Sequence, residues 1–276
     1  MGPRGLNTFF KKTKPNGINE ISLFNLRGKV IVIDVSIYLY RYNTDNELFE
    51  NFYAMLNLFK INRIKPLFIF DGPPPPEKYE KLNERRLERK EAEKEYNKLL
   101  TLSNATSKRQ MDILKRKKTT VSYNNKMELK QLFDLFGAMH VEAEGEADEL
   151  CAYYVLSGKA WACLSDDMDL FMYGCPRILR YFSILNETVI MYNVNEILKY
   201  YDIDQENFTK ICILSGTDYN AKIFHIEYLF NLYKNRHQFE ITVQQIMDEN
   251  NILNNIIMSY SCNKKYFNLM DDIDIK

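Results

Sequence analysis

Acidic side chains follow four short apolar runs of this 276-residue chain. The runs cover residues 30–33, 67–70, 138–141 and 160–164, and such runs bounded by polar residues are typical of buried parallel strands. Because the carboxyl ends of parallel strands open onto one crevice of an α/β sheet, we expect the acids to converge there. A fifth apolar stretch also ends on an acid. In chain order, the acids are Asp34, Asp71, Glu144, Glu146, Asp148, Glu149, Asp167, Asp169 and Asp218.

A single acid after a strand is more often a helix cap or a loop carboxylate than a functional group. A converging group is different, because two carboxylates about 4 Å apart repel by roughly 4 kcal/mol at an effective dielectric constant of about 20. Such a group has to be protonated or bridged by cations. Oxygen ligands without histidine or cysteine favour the hard cations Mg²⁺ and Mn²⁺, and a pair of such ions suits phosphodiester hydrolysis.

Helical stretches separate the predicted strands. Residues 38–63, 127–136 and 147–156 have helical composition, so strands and helices alternate along the chain. A pair of strands at 178–184 and 188–192 follows. The sequence therefore predicts an α/β fold with a mostly parallel central sheet and helices on both faces.

Charge is segregated along the chain, although its 37 basic and 37 acidic residues cancel overall. Residues 77–118 contain 14 bases and eight acids, whereas residues 134–172 contain nine acids and one lysine. Each block taken alone has the simpler interpretation of a solvated face. Together, the two blocks predict a basic segment that faces an acidic one.

Four prolines at 73–76 end the preceding strand, and residues 77–100 have a strong helix composition. Few apolar residues interrupt this helix, so we expect it to project from the body or to line a channel. Residues 101–106 are predicted to turn into a second basic helix that runs toward Lys118.

The composition excludes several classes of protein. With 46% hydrophobic and 27% charged residues, the chain is not predicted to be disordered. No apolar run approaches the roughly 18 residues of a membrane span, and the N-terminus lacks a secretory apolar region. Five cysteines without a C-x-x-C pair fit buried thiols in a reducing compartment. We expect an intracellular protein of the nucleus or cytoplasm, not secreted and without a membrane partner.

Six motifs occur in order over residues 1–220. They are MGPRGL at 1–6, VIDVS at 32–36, FIFDG at 68–72, GEADELCA at 145–152, LSDDMDL at 164–170 and LSGTDY at 214–219. Together they resemble the structure-specific 5′ nucleases, that is, the flap endonucleases and their xeroderma-pigmentosum-G-like relatives. The resemblance implies a PIN-like 5′ nuclease fold.

The same resemblance implies how the chain is divided. The catalytic domain covers residues 1–220, and residues 221–276 form a divergent, short helical C-terminal region. Within the catalytic domain, the resemblance implies an N-terminal region of about 1–105, a projecting helical arch of about 73–120 and an internal region of about 124–220.

By this resemblance, seven acids correspond to the family's metal ligands, and two Mg²⁺ ions, which Mn²⁺ can replace, are the implied cofactors. Asp148 stands where eukaryotic members have glutamate, and the Glu-Ala-Asp-acid order is closer to bacterial and phage members. Glu149 is therefore an optional eighth ligand, and Glu144 is a solvated neighbour. The seven acids are Asp34, Asp71, Glu146, Asp148, Asp167, Asp169 and Asp218.

The basic segment matches the family's arch, through which the 5′ single strand passes. Lys78 and Arg85 fall where the family has the cations that hold the scissile phosphate, and fixed positive charge there would neutralise the phosphoryl oxygens. The alternative for each of them is a surface cation. Tyr40 matches an aromatic residue that stacks on a base near the cleavage site. The other implied DNA contacts are Gly2, Arg86 and Arg89.

The match fails after Asp218. Family members continue into a helix-hairpin-helix whose Gly-x-Gly turn grips duplex DNA, whereas His225 and Glu227 stand on those glycine positions here. Duplex binding and the monovalent-cation site of that turn are left open. The tail has no recognisable sliding-clamp peptide, and the histidines at 140, 225 and 237 are expected to be structural.

The function implied is a metal-dependent 5′ flap endonuclease and 5′–3′ exonuclease that cleaves DNA in replication or repair. Its partner would be DNA with 5′ flaps or with branched or nicked structure. The alternative is a catalytically weak or inactive nucleic-acid-binding relative, although no acid of the set is missing. A phosphatase with an aspartate nucleophile is disfavoured, because Ser36 occupies the position of its second aspartate.

Overall fold

A seven-stranded mixed sheet forms the centre of the protein. The computed structural model describes residues 2–44, 46–74, 78–101, 108–249 and 251–261. The strands are β1 (Ile18–Ser22), β2 (Val30–Asp34), β3 (Lys65–Phe70), β4 (Met139–Glu142), β5 (Ala162–Leu164), β6 (Arg177–Ser183) and β7 (Thr188–Asn193). Their order across the sheet is β1-β7-β6-β5-β2-β3-β4. The strands β2 to β6 pair in parallel, whereas β7 pairs antiparallel with both β6 and β1.

Helices connect the strands and follow the last of them. A 3₁₀ helix at Leu23–Leu26 precedes β2. The α-helices in the described part of the chain are α1 (Leu6–Thr13), α2 (Val35–Thr44), α3 (Leu48–Ile61), α4 (Tyr79–Thr101), α5 (Lys108–Lys118), α6 (Tyr123–Phe136), α7 (Ala147–Leu156), α8 (Asp169–Met172), α9 (Val194–Tyr201), α10 (Gln205–Leu214), α11 (Ile226–Tyr233), α12 (Arg236–Glu249) and α13 (Asn251–Ser261).

The predicted alternation of strands and helices is confirmed, and the six predicted strands are observed as β2 to β7. Two features differ from the prediction. The single helical stretch expected at 38–63 is two helices, α2 and α3, with Asn46 between them in a left-handed conformation (φ 59°). The sequence does not predict β1, because its polar residues leave only Ile18 and Ile21 as apolar positions.

Side chains alternate across the sheet and fill a core on each face. Val32 and Leu67 face the side covered by α1, α7 and α10, whereas Ile33 and Phe68 face α2, α3 and α6. On the second face, the rings of Phe68 and Phe133 stack with centroids 3.9 Å apart. Helices therefore cover both faces, as the sequence predicts.

The helices α4 and α5 pack against each other and expose most of their charged side chains. Ala92 and Leu114 are buried, and the Lys118 ammonium lies 3.9 Å from the centroid of the Tyr96 ring. The helix predicted at 77–100 is observed as α4. Pro75, Pro76 and Glu77 lie outside the described residues, as does nearly all of the predicted turn at 101–106.

The helices α11 to α13 follow the last acidic motif, and α13 packs against α10. Residues 262–276, with Cys262 among them, lie outside the described residues. The other four cysteines are buried free thiols, in agreement with the prediction. Among the residues that the structure describes, no helix is both long enough and apolar enough to cross a membrane.

Candidate active site

Asp34 is held at the end of β2, the strand between β5 and β3. Its carboxylate accepts hydrogen bonds from the Ser36 N–H (3.0 Å) and from the Ser165 hydroxyl (2.9 Å). Burial, together with the charges of Asp71 and Asp167, raises the pKa of Asp34 to about 8. One backbone N–H and one serine hydroxyl thus hold the Asp34 carboxyl group in a buried position, where its ionised form is disfavoured.

Asp71 follows β3 and joins that strand to the N-terminus of α7. Its carboxylate accepts hydrogen bonds from the Ala147 N–H (2.9 Å) and from the Ser36 hydroxyl. Glu146 is the N-cap residue of α7, and Asp148 lies in its first turn. Because a helix N-terminus favours negative charge, α7 stabilises the carboxylates gathered around its first turn.

Asp148, Asp167 and Asp169 approach one another closely, with one ligand oxygen of each within 4.8 Å of the others. The turn after β5 fixes two of them, since the Asp169 N–H donates to Asp167 Oδ1 at 3.1 Å. Burial and the neighbouring carboxylates raise the pKa of Asp148 and of Asp169 well above the usual range. Asp169 Oδ1 is buried without a hydrogen-bond partner among the described residues. A divalent cation would satisfy this oxygen and relieve the repulsion, so the group fits a metal site.

Two cations at the start of the α4 region face these acids. Lys78 donates to one oxygen of Glu146, and the Tyr219 hydroxyl donates to the other. Although burial lowers the pKa of Lys78, the charges of Glu146 and other nearby acids outweigh it and raise that pKa above its ordinary value. The Arg85 guanidinium lies 2.8 Å from Asp218 Oδ2. Both cations are therefore directed at the candidate metal ligands.

These groups surround a cleft of about 470 Å³. Asp169 is not among the described residues that line this cleft and is 2% exposed. We call the seven predicted ligands, Asp34, Asp71, Glu146, Asp148, Asp167, Asp169 and Asp218, the acid cluster. The cleft brings together nine residues that the sequence singles out: Asp34, Tyr40, Asp71, Lys78, Arg85, Glu146, Asp148, Asp167 and Asp218.

Gly2 packs against the turn that carries Asp169. Its φ of 97° is left-handed, and a Cβ atom there would lie 2.7 Å from Met168 Cβ and 2.9 Å from the Asp169 nitrogen. The N-terminal segment thus has no room for a side chain at this point.

Three further predicted residues are not among those that line the cleft in the described structure. Glu149 is half-buried in the first turn of α7. Arg86 is exposed and Arg89 half-buried on α4. Glu144 is exposed, in agreement with its prediction as a solvated neighbour.

The divergent region begins at α11. His225 is the N-cap residue of this helix, and Glu227 in its first turn forms an ion pair with Lys12 at 3.0 Å. His140 pairs with Asp134 at 3.0 Å, and His237 is exposed on α12. The structural roles expected for the three histidines stay predictions.

Sequence reasoning misses several residues that contact the acid cluster. Ser36 and Ser165 each stand two positions from an acid in the sequence. At this spacing a serine hydroxyl can hydrogen-bond within a turn, and this spacing is the signal that could have identified them. Tyr219 lies inside a motif without a predicted role. Tyr260 on α13 packs its ring against that of Tyr219, and nothing in the local sequence indicates this contact.

Two family patterns match the chain. Residues 1–92 match the XPG N-terminal domain, and residues 137–218 match the XPG I-region. The flap endonuclease 1 of Lodderomyces elongisporus is 31% identical over 239 residues, which cover 79% of this chain and 61% of that protein. The flap endonuclease 1 of Candida tropicalis is 34% identical over 239 residues, with 79% and 63% covered. The chain thus spans about six-tenths of the length of these relatives.

Solved structures of related fold also match. Flap endonuclease-1 from Methanococcus jannaschii has a TM-score of 0.64 at 24% identity, with 88% of this chain and 81% of that chain covered. The Holliday junction-resolving enzyme GEN1, in complex with product DNA, Mg²⁺ and Mn²⁺ ions, has a TM-score of 0.53 at 21% identity, with 77% and 46% covered. At these identities the likeness shows the fold, which is the PIN-like α/β fold expected from the sequence.

Proposed function

The chain belongs to the XPG and flap endonuclease family of 5′ nucleases, and from this membership we propose that it is a metal-dependent nuclease that cuts DNA at 5′ flaps. The proposal includes 5′–3′ exonuclease activity and a role in replication or repair inside the cell, in the nucleus or cytoplasm. The observation that carries it is the cleft in which acids from separate chain segments face Lys78 and Arg85. Opposed charges of this kind suit a phosphodiester held between metal ions and cationic side chains.

The acid cluster is the proposed holder of two Mg²⁺ or Mn²⁺ ions, with Glu149 as an optional further ligand. The raised pKa values of Asp34, Asp148 and Asp169 support this assignment, because burial and neighbouring carboxylates disfavour the ionised form of each group and a bound cation would favour it. So does the buried oxygen of Asp169 without a partner in the described structure. Bound divalent metal would supply Lewis-acid activation of water and of the leaving oxygen.

The chain's own cations are proposed to hold the scissile phosphate. Lys78 and Arg85 already reach two acids at the floor of the cleft, so their charged ends are in position to bond phosphoryl oxygens there. Tyr40, which lines the cleft and is 46% exposed, is proposed to stack on an unpaired base. Arg86 and Arg89 on α4 are proposed to contact the DNA backbone, and Gly2 to pack close to the site.

The proposed path of the 5′ strand runs along residues 73–120, which act as the arch. The described helices α4 and α5 expose most of their charge, and this supports a surface for a polyanion. The remaining divisions, the catalytic domain at 1–220 and the C-terminal region at 221–276, stay predictions. A non-catalytic relative is disfavoured, because all seven acids are present and six of them line one cleft.

A cleavage assay tests the proposal. The full chain is incubated with a duplex that carries a labelled 5′ flap, in Mg²⁺ and separately in EDTA. We expect a short 5′ product in Mg²⁺ and none in EDTA. Asp169→Asn should abolish cutting and keep flap binding, whereas Asp248→Asn, an exposed acid on α12, should cut normally. A wild-type chain that binds flaps but leaves them intact in both Mg²⁺ and Mn²⁺ would contradict the proposal.

A further inference from the structure

Three tyrosine rings lie together beside the acid cluster, and we call Tyr173, Tyr219 and Tyr260 the tyrosine layer. Tyr173 follows α8, Tyr219 follows the last acid of the cluster, and Tyr260 lies near the end of α13. The Tyr260 ring centroid is 4.8 Å from that of Tyr173 and 6.3 Å from that of Tyr219. The C-terminal helix therefore supplies the ring that joins the other two.

Tyr219 acts on an acid and on a cation at the same time. Its hydroxyl donates to one oxygen of Glu146, whose other oxygen accepts from Lys78. The Lys78 ammonium also lies 4.8 Å from the centroid of the Tyr219 ring, within the range of a cation–π contact. Glu146 and Lys78 thus have Tyr219 as a common partner.

The position of Tyr219 is itself fixed from both sides. Its N–H donates to the Thr217 hydroxyl at 3.1 Å, and that hydroxyl bonds to Asn220 at 2.7 Å. Asn220 donates in turn to the Ile213 carbonyl in α10 at 2.8 Å. With the edge of Tyr260 against its ring, Tyr219 is held by a turn and by a helix that are far apart in the sequence.

Tyr260 brings a buried hydroxyl to the same place. It is 3% exposed, and its hydroxyl has no hydrogen-bond partner among the described residues. Burial, and then the negative charge of Asp169, raise the pKa of Tyr260 far above its ordinary value, so the phenol keeps its proton. The ring of Tyr260, rather than its hydroxyl, is therefore what contacts the rest of the tyrosine layer.

We propose that the tyrosine layer positions Glu146 and Lys78, so that the C-terminal helix α13 is part of the catalytic centre. What that centre does rests on the proposed function above. Tyr219 is a positioning residue, since its hydroxyl bonds Glu146 and its ring contacts Lys78, and Tyr260 acts through its ring contact with Tyr219. Outer partners of this kind orient metal ligands, and their removal commonly costs tenfold or more in metal affinity or activity.

Single hydroxyl deletions in the full chain test the proposal. Tyr219→Phe and Tyr260→Phe each remove one oxygen and keep the ring, whereas Tyr260→Leu also removes the ring contact. Tyr228→Phe is the matched control, because Tyr228 is a half-exposed tyrosine on α11 outside the layer. For each variant we would measure the dissociation constant of Mn²⁺ by electron paramagnetic resonance, the single-turnover rate on a labelled 5′ flap, the flap dissociation constant and the thermal unfolding temperature.

We expect Tyr219→Phe and Tyr260→Leu to bind Mn²⁺ about threefold to tenfold more weakly and to cut about tenfold more slowly at saturating flap, whereas Tyr260→Phe, which keeps the ring contact, should stay close to wild type. The flap dissociation constants of all three variants should stay within about twofold of wild type. If Tyr260→Leu does not fold, Tyr219→Phe still decides. Wild-type Mn²⁺ affinity in Tyr219→Phe would overturn the positioning role. A wild-type chain that cuts no flap would overturn the proposed function, and the Mn²⁺ measurements would still judge the tyrosine layer.

Discussion

The acid cluster and the α4–α5 helix pair are held in opposite ways. Three carboxylates of the cluster are buried and the other four are half-buried. Backbone groups fix several of them, as when the Ala147 N–H bonds Asp71 and the Ser36 N–H bonds Asp34. The helix pair instead exposes its charges and buries small parts of its surface, such as Ala92 and Leu114. In the described structure, ion pairs join the base of the helix pair to the cluster. They are formed by Arg85 on α4 and by Lys78 just before it.

The difference separates two energetic problems. The cluster gathers like charges in a buried place, which opposes folding unless cations or protons compensate. The helix pair has little core of its own, so it contributes little to the stability of the fold. Its exposed charges are available to bind a polyanion. Substitutions in the cluster should therefore change catalysis and stability in opposite directions, whereas substitutions in the helix pair should change catalysis alone.

Among the substitutions that compare the two regions, Asp148→Asn should have the largest effect. We expect cleavage of a 5′ flap to fall by about 10³-fold, because a proposed metal ligand is lost. In EDTA the thermal unfolding temperature should rise, since Asp148 is a buried carboxylate whose pKa is raised by burial and by Glu146. Flap cleavage and unfolding temperature, measured on the same preparation, check both directions. A variant that is both inactive and less stable in EDTA would mean that Asp148 is a structural acid.

Stability in EDTA should also depend on pH through Asp34. Its pKa is about 8 in the folded chain and 3.8 in its ordinary state, so between these values the folded chain holds a proton that the unfolded chain has released. The free energy of unfolding should therefore fall as the pH rises through this window, by on the order of a few kcal/mol, and should level off above it. Urea unfolding at pH 5 and pH 8 measures the fall. Asp34→Asn should flatten the profile, and an unchanged profile would remove Asp34 from the explanation.

Lys78→Gln and Arg85→Gln should act on catalysis with little change in stability. Each should slow single-turnover cleavage by about 10²-fold, because one positive charge is lost where charge builds on the phosphate. The unfolding temperature should fall only slightly, since burial of Lys78 offsets part of the stabilisation from its ion pair. Lys117→Gln, on α5, is the control for loss of a cation elsewhere in the pair. An equal loss in all three variants would show that the pair acts only by general attraction of DNA.

The sheet and the acid cluster could be predicted because their signals are local. Each predicted acid follows an apolar run, and parallel strands bring run ends together by geometry alone, as for Asp34 and Asp71. The helical stretch predicted at 38–63, by contrast, looks continuous in composition. Its division into α2 and α3 depends on the left-handed backbone of Asn46. Tyr260 could not be predicted, because its approach to Tyr219 depends on how α13 packs against α10.

Glu227→Gln should have the smallest effect and extends the comparison to α11. Glu227 and Lys12 form an exposed pair at 3.0 Å, so the unfolding free energy should change by less than about 1 kcal/mol. Loss of the negative charge leaves the cations Lys12, Arg4 and Lys222 along this face. The affinity for a duplex-containing flap should therefore rise about twofold, and it should depend more steeply on salt concentration. The cleavage rate at saturating substrate should not change.

Binding titrations of that variant at two salt concentrations, with Glu240→Gln on α12 as the control, decide where the duplex lies. A gain confined to Glu227→Gln would place α11 beside the DNA, where its glutamate opposes a backbone that the neighbouring cations attract. Equal affinities in wild type and both variants would put α11 away from the DNA. In that case the α4–α5 pair and the cleft would have to supply the whole electrostatic attraction, and the salt dependence of binding should then fall on removal of the α5 lysines alone.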